Sequence, residues 1–284
     1  MKLMNQLKFA TGAGITKGCI IWLLFFIHLI SCGPKMNSVS FSDNVVIAHR
    51  GAWKSGGLPE NSIAALRKAI ALQCTGSEFD VRMTADDSLI VTHDPNYEGM
   101  TIEKVAYDEL VAFPLSNGEA LPTLRSYIMA GMKQNVTTRL ICEIKPSATK
   151  GRGQAMAVKV LELVEALNAT HMMAYISFDY NILKKIEAIN SNAHTQYLKG
   201  DRSPSELKID GINGADYPFP IYKKHPDWIE MARENNISLN VWTVNDSSDI
   251  NWCLEKGFDY ITTNEPELVL KQYISKVQKG ILIP

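Results

Sequence analysis

The chain has 284 residues, 46% of them hydrophobic and 21% charged, with a formal net charge of −1. Those proportions are ordinary for a globular protein. The near-neutral balance argues against a dedicated nucleic-acid binder, which would carry a basic surplus or stripe.

Lys2, Lys8 and Lys17 precede the apolar run "CIIWLLFFIHLI" at 19–30. That run falls short of the ~20 apolar residues of a membrane span. A positive region followed by a short apolar core reads as a secretory signal. Leu29-Ile30-Ser31-Cys32, followed by Gly33, resembles the bacterial lipoprotein signal, in which cleavage precedes a lipid-modified cysteine. The expected organisation is a signal peptide over 1–31, a polar tether over 32–43 anchored by lipid at Cys32, and one folded domain over 44–284. The protein would then be exported and membrane-anchored, on the periplasmic or cell-surface side. A retained signal anchor or an incidental cysteine is the alternative.

From residue 44 onward, short β-rich runs alternate with amphipathic stretches. Strands are predicted at 44–49, 76–82, 88–93, 138–144, 173–178, 194–199, 238–244 and 259–263, with a weaker one at 209–214. Helices are predicted at 61–73, 123–133, 154–168, 181–190, 226–235, 248–256 and 266–278. Near-continuous apolar strands alternating with helices are the mark of parallel βαβ units. Eight such strands in ~250 residues fit a (β/α)8 barrel. An open doubly wound sheet would have fewer strands and a switch point. Segment 94–122 is longer than a typical connection and predicts a small insertion after the third strand, on the face where barrel active sites lie. Cys74, Cys142 and Cys253 match no metal or disulfide spacing and read as small buried hydrophobes.

The unusual polar residues fall at strand ends. His49 and Arg50 close the first predicted strand. Glu78 and Asp80 lie two apart in the second, on one face. His93 ends the third, and Glu143 and Lys145 end the fourth, again cofacial. Singly, each has an ordinary structural role: a hydrogen-bonded histidine, a solvated acidic edge, an ion pair. Together they do not, because barrel strands are covered on both faces and charges are almost never buried there unpaired. Three carboxylates on one rim repel each other and need positive compensation. Glu78, Asp80 and Glu143 offer hard oxygen ligands, which suit Mg²⁺ or Ca²⁺ better than Zn²⁺. With Arg50 and Lys145 beside a divalent ion, one positive charge is left over. A phosphodiester monoanion neutralises it, whereas a monoester dianion overshoots. The two histidines suit a general acid and a general base on either side of a P–O bond.

His49-Arg50-Gly51, Pro59-Glu60-Asn61-Ser62, Glu78-x-Asp80, His93-Asp94 and Glu143-x-Lys145 resemble the glycerophosphodiester phosphodiesterases. "VWTVN" at 241–245 and "ITTNEP" at 261–266 are similar to the family's closing motifs, so the likeness runs from about 44 to 270. It implies a (β/α)8 barrel that hydrolyses a small-molecule glycerophosphodiester to glycerol 3-phosphate and an alcohol. It implies a divalent cation, Ca²⁺ or Mg²⁺, on Glu78, Asp80 and Glu143, with acid–base roles for His49 and His93. Arg50 would hold phosphate, Lys145 would do so or stabilise developing charge, and Trp242 would line the pocket against the glycerol end or pack as a core aromatic. Glu60 and Asn61 would organise the first loop and cap the following helix.

Two departures stand out. No Arg follows His93-Asp94 in the place where the family often carries one, and Asn264 stands where Asp is common. Both are expected to bear on alcohol specificity through an insertion that overhangs the site, leaving the metal and acid–base residues untouched. Competing readings keep the same chemistry on a lysophospholipid, a phosphoinositol diester or a cell-envelope polymer, or make the chain a non-catalytic phosphodiester-binding lipoprotein.

Overall fold

The computed structural model describes residues 40–282; the expected signal peptide, Cys32 and the tether up to residue 39 lie outside the described residues. Eight parallel strands form the centre of the fold: β1 (Val46–Ala48), β2 (Gly76–Met83), β3 (Arg139–Ile144), β4 (Met173–Ser177), β5 (Thr195–Tyr197), β6 (Gly214–Pro218), β7 (Ser238–Trp242) and β8 (Tyr260–Thr263). Each pairs with its neighbours in chain order, and β1 pairs with both β2 and β8, so the sheet closes. The expected (β/α)8 barrel is the observed fold. Among the described residues, no helix is long and apolar enough to cross a membrane.

Alternation along the strands divides the core in two. Leu140, Cys142 and Ile144 of β3 face the outer helices and join the main hydrophobic core. Ile141 points the other way and packs with Ile47, Ala174, Ile176 and Leu198 inside the barrel. Cys74, Cys142 and Cys253 are free and buried, as small hydrophobes are.

The strand count is eight, but not from the expected set. Residues Leu89–Val91 do not enter the barrel. After the turn at Thr84–Ser88 the chain doubles back, and Val91, Ile90 and Leu89 pair antiparallel with Val81, Arg82 and Met83 at the outer end of β2. The missing barrel strand is β6, "GADYP", whose Gly, Asp and Pro disguise it as a loop. The weak candidate at 209–214 stops where β6 starts, because the helix Pro204–Ile209 ends in a turn at Asp210 and Gly211.

The insertion carries a two-stranded ribbon, Asn96–Tyr97 with Met100–Thr101, and a short helix, Tyr107–Leu110. Ile90, Ile102, Leu110 and Leu121 give it a core of its own. Glu119 fastens it to the barrel by accepting from the backbone N–H groups of Ile63 and Ala64, at 2.9 and 3.1 Å. A carboxylate there also suits the positive end of the helix Ile63–Ala71.

The turn leaving β1 is the tightest point near the barrel mouth. Gly51 has φ +82°, and a Cβ on it would lie 2.7 Å from the carbonyl carbon of Ala65. The neighbour is backbone and cannot swing aside. Gly51→Ala is therefore expected to destabilise the fold by about 1–3 kcal/mol, through strain at positive φ and overpacking. A denaturant midpoint equal to wild type would contradict this.

Candidate active site

The C-terminal ends of the strands surround a cavity of about 120 Å³, lined by His49, Arg50, Glu78, His93, Glu143, Lys145 and Trp242 among others. Asp80 is not in the lining but lies against it. The parallel register sets Asp80 directly beside Glu143, and one carboxylate oxygen from each of Glu78, Asp80 and Glu143 lies within 4.8 Å of the others. All three are buried, at 2%, 1% and 7% exposure. The sequence therefore gathered the right groups, although His93 arrives by a different route than expected. It sits on the chain leaving Leu89–Val91, and the Arg82 Nε–H donates to its carbonyl at 2.8 Å.

The backbone after β1 adopts a costly conformation to serve this cluster. Arg50 has φ +55°, in the left-handed region that non-glycine residues rarely occupy. That bend lets the Arg50 backbone N–H donate to Glu78 Oε2 at 2.7 Å. The Arg50 side chain pairs with Glu60 at 2.5 Å and lies 3.6 Å from Asp80. Asn61, also at positive φ, does not cap the following helix. Its amide donates to Asp80 Oδ2 at 2.8 Å while its carbonyl oxygen accepts from the Asp80 N–H at 3.1 Å. The cap is Ser62, whose Oγ accepts from the Ala65 N–H at 3.0 Å.

Lys145 Nζ reaches both Asp80 and Glu143, at 2.8 and 2.7 Å. Burial alone would raise the Asp80 carboxyl, but Lys145 and Asn61 outweigh it and hold Asp80 below the usual carboxylate range. Burial pushes Glu78 well above that range, and the neighbouring Asp80 and Glu143 push it further. Glu143 is raised by burial and by Asp80. Glu78 Oε1 is buried and makes no hydrogen bond. Lys145 and Arg50, the latter shared with Glu60, do not balance these carboxylates, and an all-oxygen donor set with an unsatisfied buried oxygen fits a hard divalent cation.

The two histidines have different partners. His93 Nδ1 lies 2.8 Å from Asp94 Oδ1, and its side chain is 37% exposed. His49 Nδ1 lies 2.7 Å from Asn264 Oδ1. With the oxygen assigned there, the ring donates from Nδ1 and keeps Nε2 as an acceptor. Burial, then the charge of Arg50, lowers the His49 pKa below its ordinary 6.5. Asn264 is itself fixed through its backbone N–H, which donates to Asn245 Oδ1 at 2.8 Å.

The protein-family model for the glycerophosphoryl diester phosphodiesterase family matches residues 49–268. The chain belongs to that family. A glycerophosphodiester phosphodiesterase of Caldanaerobacter subterraneus subsp. tengcongensis is 29% identical over 251 residues, which cover 83% of this chain and 98% of that protein. The crystal structure of a glycerophosphodiester phosphodiesterase from Parabacteroides distasonis is 38% identical, with a TM-score of 0.81 over 84% of this chain and 100% of that one. A phosphodiesterase of Oleispira antarctica, solved with the product sn-glycerol-3-phosphate, shares the fold at 20% identity and a TM-score of 0.67, over 81% of this chain and 96% of that one.

One expectation about the departures from the family pattern, that they leave the metal and acid–base residues untouched, is corrected. Asn264 touches His49, one of the two expected acid–base residues. The insertion adds no residue to the cavity lining, none of which falls within 94–122. Trp242 does line it; its Nε1–H donates to the Asp216 carbonyl at 2.9 Å, and its ring meets Phe178 edge-on at 5.5 Å. Asp216, buried in the unrecognised β6, also lines the cavity and had no sequence signal of its own.

Asn264→Asp places a carboxylate on His49 and favours the imidazolium, so the His49 pKa should rise by about 1 unit or more. If His49 works as a neutral base, the acidic limb of kcat/KM moves to higher pH by that amount. An unchanged pH profile would contradict the contact's role.

Proposed function

We propose that this chain, a phosphodiesterase by family, hydrolyses glycerophosphodiesters to glycerol 3-phosphate and an alcohol with a divalent cation and two histidines. The observation that carries this reading is the convergence of Glu78, Asp80 and Glu143 in a cavity that His49 and His93 also line. The product-bound Oleispira relative supports the glycerol 3-phosphate half. Glu78, Asp80 and Glu143 would hold the cation, with Ca²⁺ or Mg²⁺ favoured by their hard oxygens. Bound there, it would supply charge neutralisation at the non-bridging phosphate oxygens.

The remaining work falls to the chain's own groups. His49 donates from Nδ1 to Asn264, so its Nε2 takes the proton of the attacking hydroxyl: water, which gives glycerol 3-phosphate directly, or the glycerol 2-hydroxyl, which gives a cyclic phosphate that water then opens, with His93 taking the proton of that water and His49 returning its own to the 2-oxygen. As that oxygen bonds to phosphorus, the bond to the departing alcohol breaks. His93, its Nδ1 on the Asp94 carboxylate, gives its proton to the departing alkoxide. The neutral amide behind one ring and the carboxylate behind the other favour this assignment of base and acid. Arg50 binds phosphate, and Lys145 stays protonated beside Asp80 and Glu143, offsetting their charge.

A cavity of about 120 Å³ with one charged wall suits a soluble diester better than a lysophospholipid with its acyl chain. We also propose, from the sequence around Cys32, that the protein is exported and lipid-anchored; Cys32→Ser should then release it from membranes, and unchanged membrane association would point to a retained signal anchor.

His49→Ala and His93→Ala should each lower turnover of glycerophosphoethanolamine by about 10²–10⁴-fold with folding intact. Chelation by EDTA should silence the wild type, and Ca²⁺ or Mg²⁺ should restore it. Near wild-type rates in either mutant, or indifference to EDTA, would overturn the mechanism.

A further inference from the structure

Asp216 occupies the middle of β6, four strands around the eight-stranded barrel from β2. It therefore lies across the mouth from Glu78 and Asp80. It is 1% exposed yet lines the cavity, and its Oδ1 makes no hydrogen bond. The wall around it is apolar: Ile176, Phe178, Leu198 and Trp242. Buried carboxyls are ordinarily paired, and this one has no structural partner among the described residues. Its free oxygen is matched only by what enters the cavity.

The proposed substrate has two halves on one phosphate. The alcohol half varies and has to extend toward solvent. The glycerol half is common to all these substrates, is compact, and ends in a hydroxyl. With phosphate held on the charged side, the glycerol carbons run across the apolar wall and their terminal hydroxyl arrives at β6. We propose that Asp216 binds the terminal hydroxyl of the glycerol half and so makes the enzyme select glycerol esters, an inference that rests on the function proposed above. Burial, with Glu143 nearby, raises this carboxyl well above the usual range, so it can donate to the hydroxyl as well as accept from it.

The test compares two substrates: glycerophosphoethanolamine and its analogue built on propane-1,2-diol, which keeps the 2-hydroxyl and lacks the terminal one. Wild type should prefer the first by about 10- to 100-fold in kcat/KM, the range for leaving one buried polar group unpaired. Asp216→Ala and Asp216→Leu should lose that factor on glycerophosphoethanolamine, mainly in KM, and change less than about twofold on the analogue. Both variants should melt no lower than wild type, because an unpartnered carboxyl contributes no hydrogen bond to the fold. Equal losses on both substrates, no loss on either, or a clear drop in melting temperature in both variants would overturn the assignment. Wild-type enzyme that hydrolyses neither substrate would instead overturn the proposed function.

Discussion

Three carboxylates buried within 4.8 Å of one another are the constraint around which this fold is arranged. At an effective dielectric constant of about 20, two unit charges at that separation repel by roughly 3–4 kcal/mol. Burial adds a desolvation cost to each. Such a cluster persists only where the rest of the fold holds it and something positive shares it. Lys145 meets part of that need, by reaching Asp80 and Glu143 together, and leaves Glu78 to be served by a backbone N–H alone. The imbalance is what makes the site receptive to a small, doubly charged ion.

Much of the surrounding architecture follows from holding those oxygens in place. The parallel register of β2 and β3 puts Asp80 beside Glu143. The left-handed bend at Arg50 turns an amide toward Glu78, and the close packing of Gly51 on Ala65 keeps that bend from relaxing. Asn61 grips Asp80 from two directions. The supports other than the strand register come from one loop, residues 50–61, which explains why His-Arg-Gly and Pro-Glu-Asn-Ser occur as a linked pair in the sequence. The rings of His49 and His93, by contrast, each make one hydrogen bond, to Asn264 and to Asp94, at the rim, where the proton transfer proposed for them needs access to substrate and solvent.

The barrel was legible in the sequence because period and composition agree for most of its strands: apolar, β-branched runs separated by amphipathic helices. The rim cluster was legible because charged residues two apart at strand ends have few structural explanations. What escaped depended on contacts distant in sequence or on untypical composition. The strand "GADYP" reads as a loop until its neighbours pair with it, and Asp216 was lost along with it. Residues 88–93 have the right composition for a barrel strand, and only the turn at Thr84–Ser88 sends them outside. Asn264 could be seen as a departure from the family pattern, but its contact with His49 spans 215 positions and is set by the closure of β1 on β8. The insertion's own core, and its tie through Glu119 to the start of the helix Ile63–Ala71, could not be read from its length.

The central claim is that Glu78, Asp80 and Glu143 together hold one divalent cation. Calorimetric titration of metal-stripped protein with Ca²⁺ and with Mg²⁺ tests it most directly, because it reads binding without turnover. Wild type should bind one ion per chain, and Glu78→Gln, whose side chain stays the same size, should lose binding or weaken it at least tenfold. No binding of either ion, or equal binding by wild type and Glu78→Gln, would contradict it.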